Sequence, residues 1–274
     1  MKLKESAEII SQERISDGIY SIWLKTKIAA LAKPGQFVMV YPKDPSRLLP
    51  RPISICDAKG DDLRLVYRIQ GGGTREFSGY QAGGSIDIMG PLGNGFPVEE
   101  GTSMIVGGGI GIPPLLFLAR SRQDADNTIV LGYRDNNFFL LNEFIGLGNV
   151  HIAMENAGNI SPDEIRNSGS NNSMTENEIK TCINGNVLDS IKMNALTADT
   201  LFACGPAPML KALKEYAFHH GLKAYLSLEQ RMACGIGACL SCVCETKDIC
   251  EHSKVNNKRV CREGPVFSAE EVVL

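Results

Sequence analysis

The sequence predicts a multi-domain chain: an antiparallel β-barrel, an α/β parallel-sheet domain and a small C-terminal cysteine module. Three observations predict it. Residues 1–98 carry short apolar runs punctuated by Gly and Pro turn signals, the pattern of a small barrel. Residues 99–222 switch to strand-length runs alternating with helix-length segments, which implies a parallel sheet. Residues 223–274 hold Cys234, Cys239 and Cys242 in the spacing C-x4-C-x2-C, with Cys261 further on.

In the first segment the expected strands are 19–24, 36–41, 53–56, 63–69 and 85–89. Pro34-Gly35, Lys59-Gly60-Asp61 and Ala82-Gly83-Gly84 supply the turns between them. In the second segment, 103–106, 128–133, 150–154 and 200–204 read as strands, and 112–121 and 207–220 as helices. A short helical piece is expected near 142–145. Residues 156–186 are rich in Asn, Ser, Glu and Gly and read as a polar insertion. The third segment opens with a strand at 224–228 and closes with one at 265–267.

The uncharged run 101–119 has the length of a membrane span. Gly107-Gly108-Gly109, Gly111 and Pro113-Pro114 interrupt it, so it reads as strand, glycine loop and helix. A composition of 43% hydrophobic and 22% charged residues points to a soluble globular protein with no membrane partner. A net charge of −3 argues against a nucleic-acid partner. The N-terminus, Met1-Lys2-Leu3-Lys4-Glu5, turns charged at once, unlike a signal peptide. With six of nine cysteines between 234 and 261, metal ligation in a reducing cytoplasm is expected rather than disulfides.

Four constellations carry chemistry. Arg51-Pro52-Ile53-Ser54 opens a barrel strand, with Arg as a fork of donors for a pyrophosphate and Ser as a partner for a flavin. Val66-Tyr67-Arg68 lies on the next strand, and Gly71-Gly72-Gly73-Thr74 follows as a glycine nest suited to phosphate. Singly, each is more simply a surface Arg, an ordinary turn and a flexible loop. Their order on a barrel, ahead of an α/β domain, favours flavin. The second constellation, Gly107, Gly108, Gly109 and Gly111, sits between strand and helix, where phosphates approach a helix N-terminus. The same glycines would also serve tight packing alone. The third, Cys204-Gly205-Pro206, ends a strand of the parallel sheet, where ligands sit; a buried small residue before a helix-starting Pro is the simpler account of Cys204 by itself.

The cysteine loop is the fourth. Its spacing is that of a plant-type [2Fe–2S] cluster, with Gly235, Gly237, Ala238 and Ser241 letting backbone N–H groups face the sulfurs. Structural zinc is the competing reading, although x4 between the first ligands is unusual for it. Cys261 is favoured as fourth ligand over Cys244, too close to Cys242, and over Cys250, in a charged segment. Cys56 and Cys182 read as packing residues, and the four histidines as bland. No Ser/His/Asp set occurs, so no side chain is assigned as catalytic, as expected where cofactors carry the chemistry.

These residues, with Gly90-Pro91-Leu92-Gly93-Asn94-Gly95-Phe96, Cys204–Leu210, Met232–Cys239 and Val260–Phe267, resemble a known family. It is the iron–sulfur flavoprotein subunits of NAD-dependent (class 1B) dihydroorotate dehydrogenases, within the ferredoxin-reductase-like superfamily. The resemblance covers all three segments in order. It implies FAD on the barrel (1–98), NAD(H) on the second domain (99–222) and the cluster on the third (223–274). It also implies an FMN-containing catalytic partner that oxidises dihydroorotate in pyrimidine biosynthesis, in a heterotetramer of two copies of each. Electrons would leave that FMN through the cluster and FAD to NAD+. The alternative is a flavin and iron–sulfur reductase subunit serving a hydrogenase, a sulfur-reducing system or an oxygenase. One departure stands out: Met154-Glu155-Asn156-Ala157-Gly158 replaces a Thr-Asp-Asp-Gly-Ser-like motif, which puts the choice of NAD over NADP in doubt.

Overall fold

The computed structural model describes residues 3–123, 125–156, 179–249 and 254–274. It divides into two compact units, Met1–Pro97 with Ser227–Leu274, and Val98–Leu226.

The first unit is built on a closed six-stranded antiparallel barrel. Its strands are β1 (Leu3–Ser16), β2 (Ile19–Lys25), β3 (Phe37–Tyr41), β4 (Arg51–Lys59), β5 (Asp62–Arg68) and β6 (Ser85–Leu92), in the order β1-β2-β5-β4-β3-β6. Five of these coincide with predicted strands. The long β1 was not predicted, because only Ala7 and Ile9 are buried along it and its other side chains are largely polar and outward. β1 closes the barrel by pairing with both β2 and β6. Leu24, Val38, Ile55, Leu63 and Ile88 fill the interior with essentially no exposure, each contributing about 1.5–3 kcal/mol by leaving water. Gly71–Thr74, expected as a loop, instead leads into the first turn of α1 (Gly72–Phe77).

Residues 227–274 fold against this barrel. A Cβ on Gly235 would lie 2.5 Å from Met39 Cγ, so the cysteine loop meets the barrel wall at van der Waals distance. Asn94 donates from its backbone to the Gly264 carbonyl (2.6 Å) and from Nδ2 to the Glu263 carbonyl (2.9 Å). Three short strands lie here: β13 (Val243–Glu245) and β14 (Asn257–Arg259), which pair antiparallel, and β15 (Val266–Ser268). β13 and β14 were not predicted, being three residues each in polar surroundings.

The second unit carries β7 (Ser103–Gly108), β8 (Asn127–Tyr133), β9 (Asn149–Met154), β10 (Ile179–Asn184), β11 (Thr200–Cys204) and β12 (Lys223–Ser227), in the order β10-β9-β8-β7-β11-β12. The pairings from β10 through to β11 are parallel. Its helices are α2 (Ile112–Ser121), α3 (Leu141–Phe144), α4 (Val187–Met193) and α5 (Ala207–His220). β7 is buried along its whole length, as expected for a central strand with both faces covered.

The expected polar insertion at 156–186 is corrected in part. Its C-terminal end is β10, and Asn186 then caps α4, accepting from Leu188 N (2.9 Å) and Asp189 N (3.2 Å) while Asp189 Oδ2 accepts from Asn186 N (2.9 Å). Residues 157–178 of that segment lie outside the described residues. Among the described residues no helix is long and apolar enough to cross a membrane, and the run 101–119 forms β7, a short loop and α2.

Candidate functional site

On the barrel, β4 and β5 pair only from Ile55–Leu65 onward. Residues 51–54 pair with β3 alone, and Val66, Tyr67 and Arg68 pair with β2 alone. The two strands therefore part at Arg51-Pro52-Ile53-Ser54 and Val66-Tyr67-Arg68, leaving facing backbone edges not spent on each other. An unpaired edge is a row of donors and acceptors available to a flat polar ring. Arg51, Pro52, Ile53 and Ser54 are half-buried there.

The side chains on the β5 edge differ in availability. Tyr67 is buried, stacked on Tyr20 (6.0 Å between centroids), with its hydroxyl donating to Gln12 Oε1 at 3.1 Å. Burial raises its phenol well above the ordinary value. What Tyr67 and the buried Val66 can offer a ligand is backbone, while the Arg68 side chain is exposed.

Arg51 lies over the start of α1: a Cβ on Gly73 would meet its Nε at 2.7 Å. Glycine is required there for the guanidinium to approach the backbone. Thr74 is buried and its hydroxyl is occupied within the turn, accepting from Gln70 N (2.9 Å) and Gly71 N (3.2 Å). Arg47, not singled out in the sequence, covers Gly72 and bonds its carbonyl (2.5 Å) and Glu76 (2.8 Å). Gly73→Ala is expected to push Arg51 off this turn; were the turn to hold a flavin pyrophosphate, FAD would be lost on dialysis.

In the second unit, chain direction reverses at one place in the sheet. From β7 the chain moves outward through β8, β9 and β10, and then returns to β11 and β12 on the other side of β7. The crevice at the C-terminal ends of β7 and β11 is therefore the switch point of an open α/β sheet. Gly107 pairs with Cys204 across it. Gly111 sits so close that a Cβ would lie 2.3 Å from the Cys204 carbonyl oxygen. Met209 Sδ packs where side chains on Gly108 and Gly205 would project. Gly109, in the left-handed region at φ +53°, faces open space. The structure thus brings Gly107, Gly108, Gly109, Gly111, Cys204, Gly205 and Pro206 together. Two strands along from β7, Met154 ends β9 and Glu155 and Asn156 follow it, whereas Ala157 and Gly158 lie outside the described residues.

In the C-terminal module the cysteines come as two pairs. Among the described residues no three His, Cys, Asp or Glu converge to cage one metal ion. Cys234 interacts with Cys239, Cys261 with Cys242, and Cys261 also feels the charge of Cys234. Backbone N–H groups of Ile236 (3.5 Å) and Ala238 (3.3 Å) point at Cys234 Sγ, and Cys261 N points at Cys242 Sγ (3.4 Å). Burial works against the Cys234 thiolate, but these amides and Cys239 outweigh it and bring the thiol down to about 6. Cys261 is pushed up to about 12 by burial and by Cys242 beside it. Cys239 is exposed, while Cys242 and Cys261 are buried. Thiols fed by backbone donors, in the spacing C-x4-C-x2-C with a distant fourth, fit a two-iron cluster. Cys244 stands apart on β13, opposite Lys258, and burial pushes it up to about 11; Cys250 lies outside the described residues.

Two residues missed in the sequence complete the module. Arg259, 5% exposed, donates to the Gly237 carbonyl (3.0 Å) and from Nε to Glu263 (3.0 Å), and Glu263 also accepts from Arg259 N (2.8 Å). The signal was an Arg–Glu pair four apart and flanking Cys261. Burial works against ionised Glu263, but Arg259, with a smaller contribution from Arg262, holds its carboxyl below the ordinary range.

A model for the iron–sulfur cluster binding domain of dihydroorotate dehydrogenase B matches residues 229–273. A "Dihydroorotate dehydrogenase B (NAD(+)), electron transfer subunit" from Bacillus velezensis is 40% identical, the match spanning 99% of both chains. One of the same description from Caldanaerobacter subterraneus is 37% identical over the full length of both. Among solved structures, an NADH-dependent reduced ferredoxin-NADP oxidoreductase studied for flavin-based electron bifurcation superposes with a TM-score of 0.78 at 25% identity, covering 97% of this chain and 89% of that one. A ferredoxin NADP+ reductase from Neisseria gonorrhoeae with bound FAD and NADP shares the fold, with a TM-score of 0.61 at 16% identity over 80% of this chain and 92% of that one.

Barrel, parallel sheet and cysteine module thus define a class: ferredoxin-reductase-like oxidoreductases extended by an iron–sulfur binding domain. Within it, the chain belongs to the family of electron transfer subunits of NAD(+)-dependent dihydroorotate dehydrogenase B.

Proposed function

We infer that this chain is the electron-transfer subunit of an NAD-linked dihydroorotate dehydrogenase, working with a separate catalytic subunit in pyrimidine biosynthesis. The observation that carries this is the 40% identity running through 99% of the chain, across both units and the cysteine module. In the net reaction dihydroorotate and NAD+ give orotate, NADH and a proton. When bound, FAD and a [2Fe–2S] cluster supply the redox chemistry, converting single-electron transfers on one side into hydride exchange with NAD(H) on the other.

The chain's own residues bind and orient. The parted edges of β4 and β5 take the flavin ring, through backbone at Ile53, Val66 and Tyr67 and the hydroxyl of Ser54. Pro52 holds the edge extended, Arg68 flanks it in solvent, and Arg51 with the Gly73–Thr74 turn takes the FAD pyrophosphate. Gly107, Gly108, Gly109 and Gly111, with Cys204, Gly205 and Pro206, form the NAD(H) crevice. Cys234 with Cys239, and Cys242 with Cys261, ligate the cluster, the first pair toward solvent and the second buried. The partner is an FMN-containing barrel subunit, the assembly holds two copies of each, and the complex works in the cytoplasm.

The test is co-purification with the FMN subunit followed by an assay of dihydroorotate-dependent NAD+ reduction. Activity is expected only when both chains are present; reduction of NAD+ by the FMN subunit alone would overturn the assignment. Arg51→Ala is expected to weaken FAD binding by about 10- to 100-fold, the loss of about 1.5–3 kcal/mol of charge-assisted hydrogen bonding. Flavin fluorescence released on dilution measures it.

A further inference from the structure

We propose that Arg259 and Glu263 form a charge-compensated positioning pair that sets both the shape of the cysteine loop and the reduction potential of the cluster it holds. The proposal rests on the cluster reading above and goes beyond it, since neither residue is a ligand.

Three observations carry it. First, Arg259 is a buried cation, 5% exposed, two residues before Cys261. A guanidinium stays ionised, so its charge must be answered locally. Glu263 answers it through both carboxylate oxygens, one accepting from Arg259 Nε at 3.0 Å and the other meeting the second arm of the guanidinium. Second, the remaining arm reaches across the module. Arg259 Nη1 donates to the carbonyl of Gly237, midway between Cys234 and Cys239 in sequence, at 3.0 Å. Gly237 is held at φ +85°, with the Arg262 stem packed where a Cβ would project. One side chain thus joins the loop of the first cysteine pair to the segment that carries Cys261. Third, Glu263 is anchored from the barrel side, because its carbonyl accepts from Asn94 Nδ2 (2.9 Å), and a turn in which the Arg259 carbonyl accepts from Arg262 N (3.0 Å) holds the two partners together.

The electrostatic consequence has a definite sign. Each electron added to the cluster makes it more negative, so an uncompensated cation nearby favours reduction and an uncompensated anion opposes it. In the native protein the fork-to-fork contact keeps the pair close to neutral as seen from the cluster. Glu263→Gln keeps the shape of the side chain and uncovers Arg259, with Arg262 adding charge of the same sign. The cluster midpoint must then move to a more positive value. Replacing both partners by apolar residues of similar length removes both charges and must bring the midpoint back.

The experiment is a redox titration of the complex of both subunits, following the cluster by electron paramagnetic resonance, for wild type, E263Q and the double variant R259M/E263M. FAD content serves as the check that residues 1–97 with 227–274 still fold. The expected result is a positive shift in E263Q that is largely reversed in the double variant. A merely structural role predicts the opposite order, with the double variant displaced further than E263Q, and that result overturns the proposal. An unmoved midpoint in E263Q does so too. If E263Q holds FAD but no cluster, the double variant decides: a native midpoint supports the pair, whereas cluster loss there as well reduces it to scaffolding and overturns the electrostatic role. A wild-type complex without any [2Fe–2S] signal would sink the cluster reading itself, a failure distinguishable from all of these.

Discussion

Cys261→Ser abolishes the iron–sulfur signal while leaving FAD in place. The expectation follows from where the residue sits. Cys261 is 1% exposed and paired with Cys242, whose sulfur accepts from the Cys261 backbone N–H. Serine keeps nearly the same volume but offers an alkoxide that is far harder to form and to keep on iron than a thiolate. A buried position also leaves no water-filled path by which an outside thiol could stand in. The parted edges of β4 and β5, proposed above to take the flavin, share no residue with this loop, so flavin absorbance should persist after the cluster bands are gone. Cys244→Ser is the matched control. Cys244 lies on β13 opposite Lys258, half-buried and two residues beyond Cys242, and as a non-ligand its loss should leave the spectrum unchanged. A full cluster signal in Cys261→Ser would reassign the fourth ligand, with Cys250 next to be tested.

The contrast between these two cysteines shows what the sequence could and could not convey. Spacing alone separates Cys234, Cys239 and Cys242 from the others, because three thiolates on a short glycine-rich loop have few other uses. The distant partner is different: Cys244, Cys250 and Cys261 are equally cysteines, and only a chain path that pairs β13 with β14 shows Cys244 drawn away and Cys261 brought back. The same logic runs through the fold. Strands with a clear apolar run, such as Thr200–Cys204, and helices with a Pro start, such as Ile112–Ser121 and Ala207–His220, were legible to the residue. β1 was not, because its stability comes from two neighbours and not from its own two buried side chains. β10 was hidden in the same way, with one buried residue in a polar stretch. The opening between β4 and β5 has no sequence signal at all: it is a register that stops, visible only once both strands are placed. Arg259 and Glu263 did carry a weak local signal, a pair four residues apart around a cysteine, which charge patterning on a helix would have flagged and a loop did not.

Gly111→Ala is expected to cost the second unit about 3 kcal/mol and to abolish NAD(H) binding with FAD retained. Two effects oppose each other here. Gly111 has φ −80°, which alanine adopts freely, and it precedes α2, so the substitution should gain about 0.4–1 kcal/mol from a less mobile unfolded chain. Against that, the new Cβ would sit 2.3 Å from Cys204 O, 2.5 Å from Cys204 C and 2.6 Å from Gly205 N. All three are backbone atoms at the end of a central strand, so no side chain can swing aside. Relief requires α2 to move away from β11, which opens the packing of Ile112, Leu115 and Leu116, all fully buried. Overpacking of this kind costs about 1–3 kcal/mol or more, and a rigid neighbour places it at the upper end. The clash therefore wins, lowering the melting of this unit by roughly 10 °C. Gly109→Ala separates packing from backbone strain. It has φ +53° but nothing within 4 Å of its Cβ position, so its cost is about 1–2 kcal/mol of left-handed strain without displacement of α2. Calorimetry and NADH titration on the two variants should thus diverge, with Gly111→Ala losing both stability and nucleotide. Equal effects from the two substitutions would mean that the crevice between β7 and β11 tolerates a wider gap, and that close backbone approach is not what shapes the nucleotide site.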